Sequence, residues 1–181
     1  MPKLQPDQVH NFIVHTCQAL GSEPLEAELV ADQLVDANLA GHDSHGVGML
    51  PSYVDGVVNG RLRINSHPTV VVDGGALLTL DGNAGFGQVN GHEAMSMGME
   101  RASEHGVAVV GLRNSYHIGR IGHWAEQCAA GGFASLHLVN VIGHPPLVAA
   151  YGGAEARFGT NPFCAAVPGR DGRPGFLLDM A

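Results

Sequence analysis

The sequence predicts an α/β fold, with a small helical unit over residues 1–68 followed by the first part of an α/β domain over 69–181. Three observations predict it. Apolar residues recur at helical spacing through the first 58 residues. From Thr69 onward, short β-rich runs alternate with helical stretches. Two of the later runs, 107–112 and 133–139, are almost wholly apolar, the mark of strands buried on both faces.

The elements follow in order. Val9, Phe12, Ile13, Thr16, Cys17 and Leu20 repeat every three to four residues and make 6–20 an amphipathic helix. Gly21 closes it in the position of a C′ glycine. Ser22 is placed to cap a second helix with Pro24 in its first turn, and Leu25, Leu29, Val30, Leu34 and Ala37 carry that helix to Gly41. A third spans about 44–58 through Val47, Leu50, Val54 and Val57, with Pro51 pushing its start toward Gly48. Residues 69–73 and 76–81 read as a hairpin turning at Gly74-Gly75. A helix over 88–105 carries Met95, Met99 and Ala102, and a second helix covers 122–130. Strands 164–167 and 175–178 are joined by the turn-like Gly169-Arg170-Asp171-Gly172-Arg173-Pro174. A strand pattern has just finished at Phe176-Leu177-Leu178-Asp179-Met180-Ala181, so a continuation beyond Ala181 is expected.

Composition narrows the function. A net charge of −8, a single lysine (Lys3) and no basic run argue against a nucleic-acid surface. No apolar run reaches the length of a membrane span, and the N-terminus lacks the apolar core of a secretory signal. Cys17, Cys128 and Cys164 are unpaired by spacing, which reads as reduced thiols in the cytoplasm. Cys17 and Cys128 fall on apolar helix faces; Cys164 is a candidate nucleophile of low rank.

Chemistry concentrates in three segments. Gly41-His42-Asp43-Ser44-His45-Gly46-Val47 packs two histidines, an aspartate and a serine between glycines. Asn114-Ser115-Tyr116-His117-Ile118-Gly119-Arg120 is the second, and Gly159-Thr160-Asn161-Pro162 the third. Flexible backbone beside proton-transfer side chains is characteristic of active sites. Of the 11 histidines, His45 and His117 stand out, each flanked by glycine and small polar residues at the start of a predicted helix. A helix N-terminus lowers a histidine pKa and offers N–H groups to an anion. His42 and His123 are secondary candidates, while His10, His15 and His105 lack such company. Two readings compete: acid/base work by His45 and His117, or zinc ligation drawing on His42, His45, His117 and His123. The glycine-rich run 81–91 follows a strand and precedes a helix, but Gly85, Gly87 and Gly91 give G-x-G-x-x-x-G. That is one residue longer than the dinucleotide-binding fingerprint, and the next strand ends at Leu112-Arg113 without an acidic residue. A plain turn into a helix is the preferred reading of that run.

Taken together and in order, these segments resemble the type-2 malate/L-lactate dehydrogenase family, which includes ureidoglycolate, sulfolactate and diketogulonate oxidoreductases. The matching pieces are 41–47, Leu80-Asp81-Gly82, 113–119, Gly152-Gly153, 159–162 and 178–181. The wording of 48–53, 117–122 and 124–128 is similar to the family's hydroxycarboxylate dehydrogenase B branch. The resemblance implies a non-Rossmann, mixed-sheet α/β fold that binds a nicotinamide cofactor, NAD or NADP. It implies a homodimer acting on a 2-hydroxy or 2-oxo acid, with no nucleic-acid or membrane partner. By the same resemblance His117 and His45 are the catalytic candidates. Cofactor contacts carry over to His45, to Gly119, Arg120 and Ile121, and to Leu178, Asp179 and Met180. Ser44, Asn140, Thr160 and Asn161 rank lower, as substrate or cofactor contacts.

Two departures leave the substrate open. Many members carry an arginine four residues after the first histidine, where this chain has Met49, and Asn-Ser where it has Asn140-Val141. The family is also about twice as long, so the chain is expected to correspond to its N-terminal half. The leading expectation is therefore reversible hydride transfer, with His117 moving the proton, His45 beside the nicotinamide, and Arg120 neutralising a cofactor phosphate or substrate carboxylate. The alternatives are a metal-dependent hydrolase built on the histidine clusters and an inactive fragment serving as a folding or dimerisation unit.

Overall fold

Helices α1 (Pro6–Ala19) and α2 (Pro24–Leu39) form an antiparallel-style pair whose apolar stripes meet. Ile13, Val14 and Cys17 of α1 and Ala27, Val30, Ala31, Leu34 and Val35 of α2 are buried together. The structure, a computed structural model, describes residues 4–143, 145–171 and 173–180; Gly172 of the turn and Ala181 of the last matching segment lie outside the described residues. Each helix opens with proline at its first position, where the missing N–H is one of the orphans. The cap of α2 is Glu23, not the expected Ser22, whose side chain is instead buried.

The third helix is shorter than the periodicity suggested. Two single 3₁₀ turns, Asp43–His45 and Val47–Met49, precede α3 (Leu50–Val58). Proline 51 suits only the first turn of an α-helix, and Gly46 holds an extended backbone that separates the two short turns. Leu50 and Tyr53 of α3, with Leu62, Phe86 and Val89, complete the hydrophobic cluster of the first two helices.

Strands β1 (Thr69–Asp73) and β2 (Leu77–Asp81) form the expected antiparallel hairpin. Helix α4 (Gly87–His105) then crosses to β3 (Val109–Arg113), which pairs parallel to β2, so the β1-β2-β3 sheet is mixed. Helix α5 (Ile121–Ala130) leads to β4 (Ser135–Leu138). A small pair, β5 (Val148–Ala149) and β6 (Ala156–Phe158), was not anticipated. Strands β7 (Phe163–Val167) and β8 (Phe176–Met180) complete an antiparallel sheet in the order β4-β7-β8. Ile121, Trp124 and Ala125 of α5 pack on Cys164 and Ala166 of β7 as a second cluster.

The expectation that the third and fourth strands are buried on both faces is not met. Val109 is 60% exposed and Leu138 82%. β3 and β4 are edge strands of their sheets, and among the described residues only one face of each is covered. An unbroken apolar run shows that both faces of a strand avoid water, without telling what covers them.

Candidate active site

The loop that carries His45 is held by α2. Asn38 at the end of that helix donates to the Asp43 carboxylate (2.6 Å) and accepts from the Val47 N–H (2.8 Å). His42 N–H returns to the Ala37 carbonyl (2.8 Å). His45 therefore ends its short turn in a fixed position, half-buried, with Nδ1 2.9 Å from the Ser44 hydroxyl. His42 packs edge-on against it at 4.5 Å between ring centroids.

His117 lies in the extended segment between β3 and α5. The glycine-rich turn before α4 anchors that segment: Tyr116 N–H donates to the Gly85 carbonyl (3.0 Å) and Ala84 N–H to the Asn114 carbonyl (2.8 Å). Gly87 is required here, because a Cβ at that position would stand 2.1 Å from the His117 carbonyl oxygen. At Gly87 the run thus permits close backbone packing.

These two segments, 72 residues apart in sequence, bring His45 and His117 together with ring centroids 5.1 Å apart and planes tilted by 31°. Tyr53 of α3 reaches the back of His117, with its hydroxyl 2.8 Å from Nδ1. Behind Tyr53 lie Gln88 and Gln33, both fully buried. Gln88 Nε2 sits 2.9 Å from the tyrosine oxygen and 2.8 Å from Gln33 Oε1; Gln33 Nε2 donates to the Ile118 carbonyl at 2.7 Å. No hydrogen bond engages His117 Nε2 among the described residues.

Burial governs the electrostatics. It pushes the His117 pKa down to about 4, with the neighbouring His45 adding to the effect. His45 is lowered by burial first and His42 second, against an opposing pull from Asp179. Neither residue stands at a helix N-terminus, the cause expected from sequence: His45 ends a 3₁₀ turn and His117 precedes α5 by four residues. Both rings are therefore neutral near pH 7, and each offers one N–H and one lone pair.

The segments 119–121 and 178–180 also meet. Asp179 accepts the Gly122 N–H (3.0 Å), so its carboxylate already occupies the N-terminus of α5. Arg120 is buried between Glu126 and Asp179, its guanidinium 3.8 Å from the latter. Its charge is engaged by these two carboxylates, unlike the free cation the sequence suggested. Asn140, Thr160 and Asn161 are exposed, and no hydrogen bond links them to the histidines among the described residues. Backbone pairing of Val139 with Pro162 (3.0 Å) does bring the two loops side by side.

Two other sequence readings resolve here. Cys164 is fully buried, and burial raises its thiol to about 11, so it is no nucleophile. His123 packs on Trp124 and faces Asp36 (3.4 Å), apart from the other three histidines. Among the described residues no three His, Cys, Asp or Glu side chains converge as metal ligands, and the metal-dependent hydrolase has no support. Sequence reasoning missed Tyr53, Gln33 and Gln88 as parts of the site. A signal existed for Gln33 and Tyr53: each is a polar residue on an apolar helix stripe, Gln33 three after Val30 and Tyr53 three after Leu50.

The model of the malate/L-lactate dehydrogenase family matches residues 4–181. The chain belongs to that family. It is 57% identical to hydroxycarboxylate dehydrogenase B of Escherichia coli strain K12, over 96% of this chain and 47% of that protein. It is 39% identical to a malate dehydrogenase of Pyrococcus abyssi, over 99% of this chain and 48% of the other. The solved structure of a putative malate/lactate dehydrogenase from E. coli matches with a TM-score of 0.92 at 52% identity, covering all of this chain and 50% of that one. The chain spans about half the length of the curated relatives it matches. No helix among the described residues is long and apolar enough to cross a membrane.

Proposed function

We propose that the protein is an oxidoreductase that moves a hydride between NAD or NADP and C2 of a 2-hydroxy or 2-oxo acid. The observation that carries this reading is the His45–His117 pair: two half-buried, neutral imidazoles 5.1 Å apart, with no hydrogen bond to His117 Nε2 among the described residues, in a chain of a dehydrogenase family. A bound nicotinamide would supply or accept the hydride; the protein's part is to position C2 and manage one proton. Oxidising a hydroxyl or reducing a carbonyl requires a group at the C2 oxygen, and His117 takes that role. His45, with His42 and Asp179 at its side, forms the wall against which the nicotinamide rests.

The residues present fit such a cofactor in one respect and modify the expectation in another. Segments 119–121 and 178–180 are held together by the Asp179–Gly122 bond, so both border the same place and supply backbone groups to it. Arg120 is engaged by the Glu126 and Asp179 carboxylates there, which leaves its charge less available to neutralise a phosphate. Ser44, Asn140, Thr160 and Asn161 remain candidates for contacts to the acid or the cofactor amide. A non-Rossmann sheet arrangement, the division near residue 68, a cytoplasmic location and a homodimer belong to the same proposal. The apolar side chains left open on β3 and β4 are of the kind a partner or further chain covers.

The test is to follow the absorbance of NADH and NADPH with a panel of 2-oxo acids, using the whole protein. Loss of absorbance with at least one acid is the expected result. A protein that turns over none of the panel with either cofactor refutes the reading.

A further inference from the structure

Resting on that reading, the inference concerns how His117 is presented to its substrate. We propose that Gln33, Gln88 and Tyr53 form a one-way hydrogen-bond relay that fixes His117 as the tautomer with its proton on Nε2, so that the ring meets the C2 oxygen as a hydrogen-bond donor. The direction of the relay follows from its far end. The Ile118 carbonyl can only accept, and it receives both Gln33 Nε2 (2.7 Å) and Trp124 Nε1 (2.9 Å). That pins the Gln33 amide, leaving Oε1 toward Gln88.

Gln88 must then present its nitrogen, because reversing its amide would set one carbonyl oxygen against another. Its two N–H groups go to Gln33 Oε1 (2.8 Å) and the Tyr53 oxygen (2.9 Å). The Tyr53 hydroxyl thus already accepts a hydrogen bond. Its own proton has one acceptor in reach among the described residues, His117 Nδ1 at 2.8 Å. Tyr53 is fully buried, so an O–H turned away from Nδ1 would be left without a partner or water.

Nδ1 therefore accepts, and the ring proton stands on Nε2, the nitrogen that no hydrogen bond engages among the described residues. A protonated ring would add an N–H at Nδ1 facing the tyrosine O–H, donor against donor. The relay accordingly works with burial to keep His117 neutral. A neutral N–H aimed at a carbonyl oxygen stabilises the negative charge that develops there as hydride reaches C2; in this arrangement the ring is a donor that keeps its own Nε2–H, and the proton that completes the hydroxyl comes from water. Tyr53, Gln88 and Gln33 are positioning residues: they act through His117.

Long-range proton–nitrogen correlation spectra of the whole protein, labelled with nitrogen-15 histidine, read the tautomer directly. His117→Gln identifies the His117 signals. The expected result is a protonated Nε2 and an unprotonated, hydrogen-bonded Nδ1 from pH 8 down to about pH 5. Tyr53→Phe removes the donor to Nδ1; the two tautomers then mix and the titration midpoint of His117 rises by roughly one pH unit. Gln88→Glu reverses the relay, since a carboxylate takes the Tyr53 proton and the tyrosine oxygen then accepts from Nδ1–H. If Gln88→Glu does not fold, Tyr53→Phe alone decides. A wild-type ring protonated on Nδ1, or a Tyr53→Phe protein with unchanged tautomer and midpoint, overturns the relay. Turnover of 2-oxo acids in the same samples separates the two claims: an Nε2–H ring without turnover of any acid refutes the proposed function and leaves the relay standing.

Discussion

Acid should destabilise this protein through His117, and the size of the effect follows from its burial. Its folded-state pKa is about 4 against an ordinary 6.5. Above pH 6.5 the ring is neutral in both folded and unfolded chains and contributes nothing to the pH dependence. As the pH falls below 6.5 the unfolded chain takes up the proton and the folded one does not, so folding stability declines. Below about pH 4 both forms are protonated and the loss is complete. At about 1.4 kcal/mol per pH unit, this single group removes roughly 3 kcal/mol across the window. That is a large share of the 5–15 kcal/mol typical of a folded domain. Urea unfolding at pH 7.5 and pH 4.5, for wild type and His117→Gln, measures it. The variant has no ring to titrate, so its stability should fall by about 2–3 kcal/mol less between the two pH values. Equal losses in the two proteins, within about 0.5 kcal/mol, would refute the claim that His117 is held neutral by burial.

Three further outcomes follow from the same contacts. Gly119 has φ +69° and a Cβ there would stand 1.9 Å from Gln33 Oε1, so Gly119→Ala should cost about 3 kcal/mol in urea unfolding and disturb the His117 signals. Cys164, buried and raised to about 11, should react with a maleimide at pH 8 roughly a hundredfold more slowly than an exposed thiol; a rate equal to free cysteine contradicts its burial. Asp179 pulls the His45 pKa upward against burial, so Asp179→Asn should lower the His45 titration midpoint, read by nitrogen-15 spectra, while its amide oxygen still accepts from Gly122. An unchanged or raised midpoint would show that the carboxylate does not act on His45.

Local information in the sequence reached some of this and not the rest. Helices α1, α2, α4 and α5 were legible because an apolar stripe or a closing glycine marks each, and the hairpin because Gly74-Gly75 interrupts two β-rich runs. His45 and His117 were legible from their small, polar company, although the stated cause of their lowered pKa was wrong: the helix end is absent and burial does the work. The relay behind His117 was not legible, because Gln33, Tyr53 and Gln88 are neighbours only after α2, α3 and α4 have packed. The fate of Arg120 was hidden in part for the same reason: Glu126 is near in sequence, but its second carboxylate neighbour, Asp179, lies 59 residues away on β8. Strand exposure failed because an apolar run records what a strand avoids, and not which neighbour covers it.

The most direct test of the account is kinetic. With the whole protein, a 2-oxo acid that it reduces and the cofactor it prefers, kcat/KM of His117→Gln is compared with wild type. The account predicts a loss of about 10²–10⁴-fold, with KM for the cofactor nearly unchanged, as expected for a group that acts on the reacting oxygen. A His117→Gln protein that turns over at the wild-type rate would contradict it.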